Sequence, residues 1–115
     1  MICHPTEGNI TERLHMLDGD GSALVREIFL KGEYRGHCRL MAALTLEPGC
    51  SVGRHTHVND EELIYVLRGS CCYDDNGCIC RLQSGDAALT RDGEFHEVIN
   101  DTNEPVEYLA VVLTY

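Results

Sequence analysis

Apolar positions in this chain fall in short runs rich in Val, Ile, Leu, Thr and Tyr, with turn residues interrupting them every eight to twelve positions. The interruptions include Asp18–Gly21, Glu47–Gly49, Asp75–Gly77, Ser84–Asp86, Asp92–Gly93 and Asn103–Pro105. Apolar–polar alternation with turns at that spacing is the pattern of half-buried strands in a sandwich or barrel. It predicts strands at Ala23–Leu30, Arg39–Leu46, Glu62–Leu67, Ser70–Asp74, Cys78–Leu82, Ala87–Thr90, Phe95–Ile99 and Val106–Thr114. The clearest local element is Cys71–Leu82. Asn76 and Gly77 tolerate the positive φ of a two-residue hairpin turn, which sets Asp75 opposite Cys78, Tyr73 opposite Cys80 and Cys71 opposite Leu82. Only the N-terminal stretch carries weak helical character, around Ile10–Leu17, and an arm or a short turn is the expectation there.

A length of 115 residues suits one domain with a core of its own. No linker, repeat or charge block divides it. The expected layout is an N-terminal arm over 1–22, able to cross to a partner in a dimer, followed by a single barrel domain over 23–115. The formal charge of −10 argues against nucleic acid or an anionic membrane as partner, because phosphate binding depends on Lys and Arg. A small molecule or another protein fits better. No apolar stretch reaches the roughly 18–20 residues that span a bilayer. Met1–Glu7 lacks the basic and apolar regions of a signal peptide, so a cytoplasmic location is expected. Seven cysteines in that setting read as reduced thiols. Cys71, Cys72, Cys78 and Cys80 crowd one hairpin, but their spacing is not the paired C-x2-C of a zinc ribbon, and the hairpin register turns Cys72 away from the other three. Core filling is their expected role.

The chemistry lies elsewhere. His55 and His57 stand at i and i+2, which puts both imidazoles on one face of a strand. Glu62 follows after four intervening residues, and His96 lies downstream on a strand where Val98 and Asn100 share its face. Alternation sets Glu62, Ile64 and Val66 on one side of their strand and Glu61, Leu63 and Tyr65 on the other. With the first set facing a closed barrel, His55, His57, Glu62 and His96 meet at one point, and Ile64, Val66 and Val98 line the wall beside it. Three imidazoles and a carboxylate suit divalent Fe, Mn, Ni, Zn or Cu, and the residue types do not choose among them. His4, His15 and His37 lie outside any such spacing.

These residues carry a family resemblance. Residues 49–69 resemble the first cupin motif, G-x5-H-x-H-x(3,4)-E-x6-G, with Gly49, His55, His57, Glu62 and Gly69 at its fixed positions. Residues 85–100 resemble the second, G-x5-P-x-G-x2-H-x3-N, with Gly85, Gly93, His96 and Asn100 in place and Arg91 where the family usually has proline. The resemblance covers roughly residues 38–114 and rests on both motifs at correct spacing. It implies an all-β fold, a small antiparallel jelly-roll barrel, with a metal ligated by His55, His57, Glu62 and His96. The spacing to Gly69 selects Glu62 over Glu61. Arg91 reads as a solvated turn residue, with contact to an anionic substrate as the other reading. Cupins include oxygenases, isomerases, lyases and decarboxylases as well as binding modules, so fold and metal do not fix the reaction. The expectation is a metal-dependent enzyme acting on a small polar molecule inside the barrel. A non-catalytic ligand- or metal-binding module is the alternative. The resemblance also implies a homodimer.

Overall fold

The computed structural model covers residues 1–115. Ten strands follow one another: β1 (Asn9–Leu14), β2 (Ser22–Glu27), β3 (Cys38–Leu46), β4 (Ser51–Thr56), β5 (Asp60–Arg68), β6 (Ser70–Asp75), β7 (Cys78–Gln83), β8 (Ala87–Thr90), β9 (Phe95–Ile99) and β10 (Val106–Thr114). They form a six-stranded sheet in the order β1-β2-β3-β10-β5-β8 and a four-stranded sheet in the order β4-β9-β6-β7. Every strand pairing is antiparallel. The two sheets face each other as a jelly-roll barrel, which places the inward residue of each alternating pair in a shared core.

The eight strands expected from the pattern are all present, with ends shifted by at most three residues. The hairpin has the register that its turn dictates: Asp75 opposite Cys78, Tyr73 opposite Cys80 and Cys71 opposite Leu82. Asn76 and Gly77 take φ of 52° and 91°, as a two-residue turn of this type demands. Cys71 is buried while Cys78 and Cys80 are exposed, because β7 is an edge strand that overhangs the core. All seven thiols are free.

Ile10–Leu17 is not helical. Its first part belongs to β1, which pairs with β2 from Asn9 opposite Glu27 to Leu14 opposite Ser22. The rest forms a 3-10 turn over Met16–Asp18, where His15, Leu17 and Asp18 take positive φ. Five of the six β1 residues are exposed, so the strand has no buried face to write an apolar alternation into the sequence. β4 carries one large apolar residue, Val52, and gives an equally weak signal.

The core draws on alternate positions: Ala23 and Val25 from β2, Ala42, Leu44 and Leu46 from β3, Val106, Tyr108 and Ala110 from β10, and Cys71 and Tyr73 from β6. Ile64, Val66 and Val98 belong to this packed core and do not line the cavity beside the ligand cluster as expected. Moving along β5 from Glu62 toward Gly69 leads into the closed end of the barrel. The cavity opens at the other end, where Val112 faces Glu62 across the sheet and Leu40 faces Val112.

Candidate metal centre

β4 does not reach the site by simple alternation. Val52 pairs with Val98 of β9, and the next pair along the strands is His55 with His96. Three steps on one strand against two on the other mark a β-bulge across Gly53 and Arg54. The extra residue lets both Val52 and His55 face inward although an odd number of steps separates them. Position 53 has to be glycine, because a Cβ there would overlap the carbonyl oxygen of Leu17. The 3-10 turn is thereby seated against the back of the bulge. β5 contributes Asp60 and Glu62 from one face, and Thr90 on β8 pairs with Glu62.

The four ligand-type residues converge. His96 Nε2 lies 2.9 Å from Glu62 Oε2 and 3.0 Å from His55 Nε2. His57 Nε2 lies 3.0 Å from Glu62 Oε2 and 3.2 Å from His96 Nε2. His55 Nε2 and Glu62 Oε2 are 3.9 Å apart. His57, Glu62 and His96 are nearly closed off from solvent, with exposures of 3%, 8% and 1%.

Each imidazole is held from behind through Nδ1. That of His55 is 2.7 Å from the carbonyl oxygen of Gly53, and that of His57 is 2.7 Å from Asp60 Oδ1. That of His96 lies 2.7 Å from the Tyr73 hydroxyl and 3.0 Å from Thr90 Oγ1. A proton on each Nδ1 donates to these oxygens and leaves three unprotonated Nε2 lone pairs aimed at one point. This is how histidine ligands of metals are oriented. Asp60 is itself tied down, since Arg39 Nε donates to its Oδ2 at 2.9 Å.

Charge and spacing both suit a cation. Burial pushes the Glu62 carboxyl up, but His55, His57 and His96, which donate to it whenever a second proton sits on Nε2, outweigh burial and hold the group well below the usual carboxylate range. The hydrogen bond to Glu62 raises His57, with burial opposing and Asp60 adding to the rise. Burial likewise pushes Asp60 up, and His57 and Arg39 together bring it below its ordinary value. Donors about 2.1 Å from a shared ion are about 3.0 Å apart at right angles and about 3.4 Å apart at the tetrahedral angle. Four of the separations fall between 2.9 and 3.2 Å, within reach of a shared ion, and the fifth is 3.9 Å. His55, His57, Glu62 and His96 form a cluster suited to a divalent metal ion.

His55, His57 and Glu62 of the cluster line a cavity of about 570 Å³, walled by Leu40, Leu44, Val52, Tyr108 and Val112, with Arg13, Met16, Leu17, Glu27 and Arg39 toward its mouth. Glu61 lies on the opposite face of β5, where its carboxylate accepts from the Tyr115 hydroxyl, and Tyr65 is exposed on that face too. Arg91 lies outside the cavity, largely exposed and ion-paired with Glu94 at 3.5 Å, so its solvated reading holds. Asn100 is fully buried and structural. Its amide donates to the carbonyl oxygens of Leu46 and Glu104, and its Oδ1 accepts from Thr102.

Asp60, Tyr73, Thr90, Arg39 and Arg13 did not stand out in the sequence. Asp60 had a usable signal, since it shares the parity of Glu62 two positions on. Tyr73 had another, since it shares the face of Cys71 in the hairpin. The two arginines had none, because only the tertiary fold brings β1 and β3 to the cavity mouth.

Comparison with known proteins adds to this geometry. A family model described as a cupin domain matches residues 42–112. An oxalate-binding protein of Thermotoga maritima is 34% identical over 99 residues, covering 86% of this chain and 82% of that protein. A crystal structure of a predicted oxalate decarboxylase from Thermotoga maritima superimposes with a TM-score of 0.96 at 31% identity, covering 100% of both chains. The structure of a cupin 2 conserved barrel domain protein from Salinispora arenicola has a TM-score of 0.76 at 21% identity, covering 98% of this chain and 88% of that one.

Proposed function

Because the chain belongs to the cupin domain family, we propose that it holds one divalent transition-metal ion on His55, His57, Glu62 and His96 and binds a small dicarboxylate, oxalate or a near relative, in the cavity above it. One observation carries this reading: three Nε2 atoms and one carboxylate oxygen converge while every Nδ1 is engaged from behind. The four donors are close enough to share one ion, which would keep positions for a ligand on the cavity side. Such an ion supplies Lewis acidity toward carboxylate oxygens. The oxalate-binding relative supports the ligand class.

The chain's own residues favour retention of the ligand over turnover. Decarboxylation of a dicarboxylate needs a proton delivered to the carbon that loses CO2. The cavity carboxylates outside the ligand set are both engaged, Glu27 with Arg13 and Asp60 with His57 and Arg39. Glu61 and Tyr65 lie on the other face of the sheet. The test is calorimetric titration of oxalate into metal-loaded protein, with formate assayed in the same mixture. Saturable binding without formate is the expected result. Steady formate release makes the protein a decarboxylase, and absence of binding removes the dicarboxylate reading.

We further propose that the protein is a homodimer that pairs the outer face of the larger sheet with a second copy. Leu63, Tyr65 and Leu89 are each at least two-fifths exposed there, beside Ala87, Leu109, Val111 and Leu113. A continuous apolar face of this kind on a small chain is the usual mark of an interface.

A further inference from the structure

Arg39 and Arg13 both reach the cavity mouth, but they are not equivalent. Arg13 spends its Nη2 on Glu27 at 3.5 Å. Arg39 engages Asp60 through Nε alone, at 2.9 Å, and its Nη1 and Nη2 have no protein partner. Asp60 holds the rear nitrogen of His57, so one end of the Arg39 guanidinium is anchored to the metal cluster's support while the other remains open. A guanidinium fork fixed at one edge and open at the other matches the two oxygens of a carboxylate.

Charge agrees. The cavity has two arginines against Glu27, Asp60 and Glu62, so it is negative until a divalent ion enters and positive afterwards. An anion therefore binds after the metal, and Arg39 is the wall arginine whose Nη1 and Nη2 are both open to it. We propose that Arg39 recognises the second carboxylate of the bound dicarboxylate, on the side turned away from the metal, and so selects diacids over monoacids. This rests on the reading that a metal-bound dicarboxylate occupies the cavity.

The test uses full-length protein loaded with Mn(II). Affinities for oxalate, malonate and acetate are measured by calorimetry for the wild type, Arg39→Gln and Arg39→Lys, and Mn(II) affinity is measured separately for each. Losing a charge-assisted bidentate contact lowers oxalate affinity roughly ten- to hundredfold in Arg39→Gln. Arg39→Lys keeps the charge without the fork and falls between. Acetate, with a single carboxylate, changes little in either variant. Equal losses for oxalate and acetate, or a fall in Mn(II) affinity as large as the fall in oxalate affinity, make Arg39 only a support for Asp60 and overturn the assignment. So does unchanged oxalate binding in Arg39→Gln. A wild type that binds none of the diacids overturns the dicarboxylate reading and this assignment with it, whereas a diacid-binding wild type indifferent to Arg39 overturns the assignment alone.

Discussion

Glu61 and Glu62 are adjacent carboxylates on opposite faces of one strand, Glu62 buried in a nest of imidazoles and Glu61 reaching only the hydroxyl of Tyr115. Glu62→Gln removes the anionic donor and should weaken metal binding by at least about a hundredfold, while Glu61→Gln leaves it unchanged. A competition titration against a fluorescent chelator reads both, and the reverse order would refute the ligand set. Asp60→Asn should cost about ten- to a hundredfold by the same measurement, because it loosens the hold on His57. The ligand types were readable from the sequence because strand parity and motif spacing are local properties. Their partners were not, since the hydrogen bond between Tyr73 and His96 exists only once β6 lies beside β9. Cys71 shows the bland fate of a core thiol. Burial pushes it up to about 11 from an ordinary 9.0. Between those values the unfolded chain holds fewer protons than the native one, so this thiol's contribution to stability falls as pH rises through that window. Thiol labelling near neutral pH should modify Cys78 and Cys80 promptly and Cys71 only after denaturation.

Among the elements, β4 and the turn behind it form one unit. The bulge aims His55, the Gly53 carbonyl holds its Nδ1, and the Met16–Asp18 turn fills the space that a side chain at position 53 would need. Gly53→Ala forces the turn and the strand apart. It should lower unfolding free energy by about 2 kcal/mol or more in urea titrations and weaken metal binding as well. Unchanged stability would mean that the turn is not seated as described. The apolar pattern signalled eight strands but neither β1 nor β4, the latter being indicated only by the spacing of His55 and His57, and both gaps share a cause. Alternation is written only where one face is apolar and buried, whereas β1 is mostly exposed and β4 turns polar ligands inward. The odd step between Val52 and His55 was equally hidden, because a bulge shifts parity without leaving a residue type that announces it.

At the level of the whole molecule, two sheets of unequal size divide the work. The inner faces build core and cavity, and the outer face of the larger sheet carries the apolar surface proposed to pair with a second copy. Sedimentation should give a dimer for the wild type and a monomer for Tyr65→Glu combined with Leu89→Glu, with metal binding retained in both. A monomeric wild type at micromolar concentration would contradict the proposed interface. Metal ligation on His55, Glu62 and His96 would tie β4, β5 and β9 together across both sheets, so chelation should lower stability, by about 4 kcal/mol where free metal had stood at a thousand times its dissociation constant. Elemental analysis of untagged protein reads the metal itself. After incubation with Mn, Fe, Ni, Cu and Zn salts and exhaustive dialysis, the wild type should retain close to one transition-metal ion per chain, lost in His55→Ala and His96→Ala. A folded wild type that retains none of the five metals would contradict the proposed metal centre.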